Sequence, residues 1–463
     1  MSVIDSDILE GEELQSIEET LSLNDSSLNP KVRPTPLEAL DLLKGKVGQW
    51  EVPFASARFK HHSQDQSQGL FNCLFGRDSL VIASFLKEHN ASMQENVMFA
   101  LSQYQGKEQN LVSEEEHGRI PHEVREFDDP QAKKIAEKEG WTFPYYGSID
   151  ATLLWLKTLS DVSERKPQIL EIEILGITLS RRAELAASWL LFRLDIGGGL
   201  LRSQRSNPRG LLNQTWKDSG DSYSTSTGIV AVNEGTASVE IIGQSYDALL
   251  SASRIARRSN NKWQITPDEL ENKAESLKGE LFANWWLGTH FALGQAVINN
   301  QEIQLDSLAS NQWWLLDSEI LDGNESREFV NQLVDSALDT EILGPNGLRT
   351  LGKSNARYRP GGYHSGSTWP FDCAIITRGL LKHGRTREAK FVASRTIEAI
   401  KRVGGYPEFF RSDLEETKGI NRHVIDVWDP SMGLKNRVNQ PPQMLQGWTI
   451  AAFLWFQKIG LAK

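Results

Sequence analysis

Residues 369–402 read WPFDCAIITRGLLKHGRTREAKFVASRTIEAIKR. Apolar side chains recur at three- and four-residue spacing on both sides of Gly384, which predicts two helices, 369–384 and 385–402, separated by a tight turn. Working outward, the same periodicity predicts further helices over 36–48, 78–89, 92–105, 148–161, 181–196, 240–258, 267–286, 306–318, 326–340 and 443–459. Asp78 or Ser79 supplies a helix start, and Pro267 sits in a first turn. Strand-like alternation is confined to 289–298, with 197–203 as another candidate. Helices of similar length, joined alternately by short turns and long loops, point to an all-α fold of hairpins wound into a toroid or stacked as a solenoid. The loops 106–147, 197–239, 341–368 and 403–442 are too long for plain connections, and loops of that size commonly carry function.

The chain of 463 residues is long enough to bury a large core. It carries 61 acidic and 50 basic side chains, a formal net charge of −11, and 8 of the acids fall within the first 30 residues, where no Lys or Arg occurs. Residues 1–34 are therefore expected to form an acidic, mobile tail, and 35–463 one catalytic domain of nearly neutral charge. No concentrated basic surface for a phosphate backbone is apparent, so nucleic acid is not an expected partner. The two cysteines, Cys73 and Cys373, are too few for a disulfide framework or a structural zinc site. With neither a signal-like start nor a stretch of roughly 20 apolar residues, a cytoplasmic protein off the membrane is expected. Oligomeric state is not legible.

Chemistry-bearing residues concentrate in the loops. FGRDSL places Arg77 and Asp78 at a helix mouth, where they read either as a cap with an ion pair or as a guanidinium fork and a carboxylate for sugar hydroxyls. The second loop mixes His117, Arg119, His122, Glu123, Arg125, Tyr145, Tyr146 and Asp150, which suits a polar ligand with flat faces or a loop held by its own salt bridges. In NQTWKDSGDS, Asp218 and Asp221 follow Trp216 and Lys217. Neighbouring like charges and an indole edge raise a carboxyl pKa, as a general acid requires, whereas solvated aspartates in a turn are the plainer reading. The spacing matches neither a calcium-binding loop nor a phosphate loop, and no metal or cofactor is expected.

Further on, GLRTLGKSNARYRPGGYHSGSTWPFD carries Arg349, Tyr358, His364, Trp369 and Asp372 before a helix. In GGYPEFF, Glu408 stands between Tyr406 and Phe409 and is a candidate general base. Gln443 and Trp448 open the closing helix. Many of the 14 tryptophans lie in or beside these loops, and indole faces stack on pyranose rings.

Taken in order, FGRDSL, HGRIPHEVRE, YYGSIDAT, NQTWKDSGDS, GQSYDAL, GLRTL with YHSGSTWP, GGYPEFF and PPQMLQGW resemble the amylo-alpha-1,6-glucosidase, or bacterial-type glycogen debranching, family, within the clan of glucoamylases, trehalases and processing glucosidases. The resemblance implies an (α/α)6 barrel and hydrolysis of α-glucosides with inversion. It implies Asp218 as general acid, with Asp221 the alternative, and Glu408 as general base. It further implies that Arg77, Asp78, Tyr146, Asp150, Trp216, Lys217, His364, Trp369 and Gln443 line the glucose subsite. The chain differs from the family at Phe371, where WPHD is usual, and at Ile242, where a glutamate is usual. Family members often carry a β-rich domain before the barrel, for which about 35 residues leave no room. A hydrolase of small glycosides, such as a glucosylglycerate- or trehalose-cleaving enzyme, is the alternative. A sugar epimerase using His122 and His364, or a non-catalytic glucan-binding protein, stands further off.

For an inverting enzyme the two carboxyl groups are expected roughly 6.5 to 9.5 Å apart on opposite faces of the scissile bond.

Overall fold

The computed structural model describes residues 34–57, 71–126, 129–339, 341–403, 405–413, 442–443 and 445–462, together with the backbone of 424–429 and 433–439. The acidic tail expected before residue 34 lies outside the described residues. Helices α1 (Pro36–Asp41), α2 (Gly76–Leu86), α3 (Ala91–Ser102), α4 (Pro130–Glu139), α5 (Asp150–Arg165), α6 (Leu179–Ile196), α7 (Val239–Arg258), α8 (Pro267–Asn284), α9 (Arg327–Ala337), α10 (Pro370–Lys382), α11 (Thr386–Val403) and α12 (Gly447–Lys458) follow in chain order. A 3-10 segment, Ser310–Leu316, stands between α8 and α9.

Two kinds of helix are distinguished by which faces they bury. In α2 every residue except Ser84 is buried, and α12 is buried from Gly447 to Leu454 and again at Phe456, so both must lie inside the molecule. By contrast α8 buries only Leu270, Ala274, Leu277 and Leu281, a single stripe at helical spacing. Each such leucine contributes about 1.5–3 kcal/mol by leaving water. A capping box between Thr266 and Glu269, with Pro267 in the first turn, fixes where α8 begins. Gly384, at φ +71°, makes the left-handed turn between α10 and α11 at the position the sequence indicated.

The inner elements close a ring. Helix α2 packs on α5, α5 on α7, α7 on the 3-10 segment, that segment on α10, α10 on α12, and α12 back on α2. Each inner element is backed by an outer helix: α3 behind α2, α6 behind α5, α8 behind α7, α9 behind the 3-10 segment, α11 behind α10, and α1 behind α12. Five hairpins and the pair formed by the first helix with the last therefore make an (α/α)6 toroid. A solenoid would leave the ends unpaired, so the toroid is the correct choice between the two.

Several elements differ from expectation. The helix expected over 36–48 stops at Asp41, because the chain turns into a hairpin of Lys44–Val47 with Trp50–Pro53. The segment 306–318 is not an α-helix but a tight 3-10 run held by Gln312, whose amide bonds the backbone at Ser307 and Ala309. Residues 197–203 form no strand beyond a bridge between Ser203 and Thr236, whereas 289–298 does supply a strand, Gly294–Ile298, paired with Gln301–Leu305. Helix α4 was not anticipated.

Candidate active site

The inner helices α2, α5, α7, α10 and α12 begin at one mouth of the barrel, and the long loops rise from that mouth. Strand residues Leu74 and Phe75 pair with Val124 and Glu123, which ties the second loop to the start of α2. A Cβ on Gly76 would meet the Pro121 carbonyl at 2.2 Å, so only glycine permits this approach. The loops enclose a cavity of about 670 Å³.

Arg77 acts as a bracket on one wall. Its Nε donates to Asp150 Oδ2 at 2.6 Å, one Nη donates to the Thr215 carbonyl at 2.8 Å, and the other lies 3.8 Å from Asp218 Oδ2. Asp150 also accepts from Ser148 Oγ at 2.6 Å, so it sits behind Arg77 and orients it. Asp78 and Asp218 face the cavity. Burial pushes Asp78 up to about 7 against the pull of Arg77, and burial likewise pushes Asp218 up to about 6.

Glu408 faces the same cavity from the loop before α12 and is 2% exposed. Tyr363 Oη donates to its Oε1 at 2.5 Å, and the Gln443 backbone N–H donates to Oε2 at 3.2 Å. Burial dominates over these bonds and raises Glu408 to about 8. The loop is pinned on both sides. Thr368 and Phe410 exchange backbone bonds, Tyr406 bridges to Leu445, and Thr449 Oγ1 donates to the Pro407 carbonyl at 2.8 Å.

The floor is aromatic. Trp216 stacks on Trp314 with centroids 5.4 Å apart and meets the edges of His364, Trp369 and Phe371, while Phe371 stacks on Trp448 at 4.1 Å. Phe371 is thus part of a packed apolar layer, not a substrate ligand. Lys217 points below this floor, where its Nζ donates to the Thr350 carbonyl at 2.5 Å and burial lowers it to about 8. Tyr146 likewise turns inward, donating to the Tyr104 carbonyl at 2.6 Å.

Of the residues expected at the site, Arg77, Asp78, Trp216, Asp218, His364, Trp369 and Glu408 share the cavity wall. Tyr146, Asp150, Lys217, Asp221 and Gln443 lie behind it, and Gln443 reaches Glu408 through its backbone. Sequence reasoning missed Tyr363, although it immediately precedes His364, and it chose Gln443 where Gln446 faces the cavity.

Five side chains of the wall carry a buried polar atom without a partner among the described residues: His122 Nδ1, Trp216 Nε1, His364 Nε2, Gln446 Oε1 and Trp448 Nε1. Buried polar atoms seldom go unpaired, so a lining with this many suits a hydroxyl-rich ligand. The outer half of the cavity differs in charge. Helix α4 lays Gln131, Lys134, Ile135 and Lys138 along it, Arg209 donates to the Lys138 carbonyl, Arg205 pairs with Glu234, and Trp141 stacks on Tyr145 at 4.3 Å.

A family model described as the mannosylglycerate hydrolase MGH1-like glycoside hydrolase domain matches residues 201–422. No curated protein sequence matches the chain. Among solved structures, the GH63 mannosylglycerate hydrolase from Thermus thermophilus is similar throughout. Its complex with Tris and D-glycerate gives a TM-score of 0.60 at 13% identity, covering 91% of this chain and 98% of that one. The Tris complex gives 0.58 at 13% identity over 92% and 100%, and the glucose complex 0.55 at 13% identity over 91% and 98%. These likenesses show the same toroidal fold. With the domain match, the chain is a glycoside hydrolase. Among the described residues no helix is long and apolar enough to cross a membrane.

Proposed function

We propose that this glycoside hydrolase cleaves small α-glycosides with inversion at the anomeric carbon, Asp218 protonating the leaving oxygen and Glu408 taking a proton from the attacking water. The observation that carries the reading is that two carboxyl groups on separate loops face one sugar-sized cavity, each with its pKa raised by burial. The substrate we favour joins a glucosyl or mannosyl unit to a small acid such as glycerate, in preference to a glycogen branch stub. Lys134 and Arg209, with Lys138 and Arg205, which also pair with Glu139 and Glu234, supply the outer cavity with cations for an anionic aglycone, and the domain match lies with mannosylglycerate hydrolase-like enzymes.

One test is a panel of mannosylglycerate, glucosylglycerate, trehalose and an α-1,6-branched dextrin, with NMR of the first-formed sugar. The β-anomer and preference for a glycerate glycoside are the expected result. An α-anomer first would end the inverting reading, and fastest cleavage of the branched dextrin would restore debranching as the activity.

The proton affinities favour a second reading, with the roles exchanged. Glu408 at about 8 holds a shared proton more tightly than Asp218 at about 6, which stands beside Arg77. Leaving groups that need no protonation separate the two. The variant lacking the acid keeps its rate on an activated aryl glycoside, and the variant lacking the base loses it.

A further inference from the structure

Asp218 and Glu408 face one cavity but are held by different kinds of partner. Asp218 stands 3.8 Å from an Arg77 nitrogen, whereas no cation bonds Glu408 among the described residues. Glu408 Oε1 accepts from Tyr363 Oη at 2.5 Å, and Oε2 accepts from the Gln443 backbone N–H at 3.2 Å. A separation of 2.5 Å falls in the range of O–H bonds to a charged oxygen, which are stronger than neutral ones. Because the two donors belong to different loops, rotating the carboxyl group would break at least one bond.

The phenol is fixed from behind. The Tyr363 ring meets Trp369 and Phe409 edge-on, with centroids 4.9 and 5.0 Å apart, and its carbonyl accepts from Ser367 Oγ at 2.6 Å and Trp369 Nε1 at 2.8 Å. Ionised Glu408 can only accept, so Tyr363 must donate to it. Burial pushes the phenol well above its ordinary value, which keeps it a donor across the neutral range. The other groups facing Glu408 do not take over this task. Asp78 and Asp218 oppose its charge, His122 and His364 are kept neutral by burial, and Arg77 is engaged by Asp150. Glu123 and Arg125, on the same wall, pair with each other. Burial raises Glu408 to about 8, and the Tyr363 bond is the strongest influence against that rise.

We infer that Tyr363 is a positioning residue for the reaction: its hydroxyl orients Glu408 and stabilises the ionised carboxylate, holding it ready to accept a proton from the attacking water while Asp218 keeps the proton for the leaving oxygen. The inference rests on the proposed assignment of the two carboxyl groups.

Infrared titration of the full chain reads the bond without turnover. The Glu408 carboxylic C=O band is the one missing from Glu408→Gln. In Tyr363→Phe, which keeps the ring against Trp369 and Phe409, the midpoint of that band should move up by at least about half a pH unit. Replacing Tyr363 by 3-fluorotyrosine, a stronger donor of nearly the same shape, should move it down. An unmoved midpoint in Tyr363→Phe, or an upward shift with 3-fluorotyrosine, would overturn the inference.

The part played in catalysis is read from kcat/KM on the fastest-cleaved substrate of the panel above. With one proton shared, raising the proton affinity of Glu408 depletes the form in which Asp218 holds it. In Tyr363→Phe the plateau of the pH profile should fall by the factor that the infrared midpoint predicts, about tenfold per unit, and the alkaline limb should move up in step. A level plateau with a moving limb would show Glu408 working as the acid, and the acceptor role would be lost. Reduced activity with an unmoved midpoint would leave Tyr363 a packing residue only. If no substrate of the panel is cleaved, the glycosidase reading and the acceptor role fall together, while the infrared titration still decides whether Tyr363 stabilises the ionised carboxylate.

Discussion

Toward one end of the inner helices, Asp317 is gripped by Arg378, whose Nε and Nη2 donate to its two oxygens at 2.8 and 2.7 Å, and Lys157 holds Asp247 at 2.7 Å. These groups line a second cavity of about 200 Å³, whose wall takes residues from α2, α5, α7 and α10 and from Trp314 to Ser318. At the site end, Asp78, Asp218 and Glu408 share a cavity wall with Arg77, which already spends its Nε on Asp150. The outcomes are opposite. Asp317 is lowered to about 2, chiefly by Arg378 overcoming its burial, while Asp78, Asp218 and Glu408 are raised. Burial alone therefore does not make a reactive carboxyl. What distinguishes Asp317 from the site carboxyls is a cation of its own, since Asp161 and Glu240, which line the same second cavity, are raised by burial.

The sharpest way to break the comparison is to delete one carboxylate at a time. Asp218→Asn and Glu408→Gln should each lower kcat by about 10³-fold or more, with both proteins folded by circular dichroism. Arg378→Met should leave kcat within about threefold, since it touches no substrate. A large catalytic loss in Arg378→Met, or none in Glu408→Gln, would erase the division between the ends.

A pH profile sharpens the same point. If Asp218 and Glu408 share one proton as proposed, kcat/KM should rise near pH 6 and fall near pH 8, whichever group holds that proton. Below the lower limb both groups are protonated and no base remains. Above the upper limb both are ionised and no acid remains. Limbs at the ordinary carboxylate values would show that the wall is wet and its burial inconsequential.

Stability should separate the ends by sign. The depressed pKa of Asp317 contributes stability that is present above about 3.8 and is lost as pH falls toward 2. Arg378→Met, which strands Asp317 with a reduced partner set, should cost about 1–3 kcal/mol at neutral pH, narrowing in urea titrations as the pH is lowered through that window. Glu408 behaves oppositely. Its raised pKa means that ionisation costs stability as pH rises from about 4.5 through 8, so Glu408→Gln should melt a few degrees higher than wild type at about pH 8.5 and converge with it near pH 4.5. A lower melting temperature for Glu408→Gln at alkaline pH would contradict the raised pKa of that carboxyl.

The toroid was legible because apolar periodicity survives in the amino-acid order. The hairpin around Gly384 appears where the spacing places it, and α8 shows the single stripe that a surface-facing helix requires. Helix α4 was illegible for the converse reason. It buries only Ala132, so no stripe marks it, although Asp129 and Pro130 give it a capped start. At the site, local sequence identified chemistry but not direction. Asp218 and Asp221 are three positions apart, yet one faces the cavity and the other faces Arg357. Lys217 stands between Trp216 and Asp218 in the chain and turns its ammonium to the opposite side of the floor. The Tyr363–Glu408 bond joins residues 45 apart, a pairing set by tertiary contacts and by no motif.

The smallest expected effect concerns the helix that sequence could not find. If the basic face of α4 serves the aglycone, Lys134→Glu/Lys138→Glu should raise KM for a glycerate glycoside about tenfold while changing kcat by less than about threefold, because these charges steer and hold the substrate without touching the scissile bond. The effect should shrink as salt is added, since Lys138 is solvent-exposed and charges at such distances are screened over about 8–10 Å at moderate ionic strength. A neutral aryl glycoside should lose much less. Equal loss on charged and neutral aglycones would mean that α4 supports the wall sterically, leaving the substrate's charge to be read by Arg205 and Arg209.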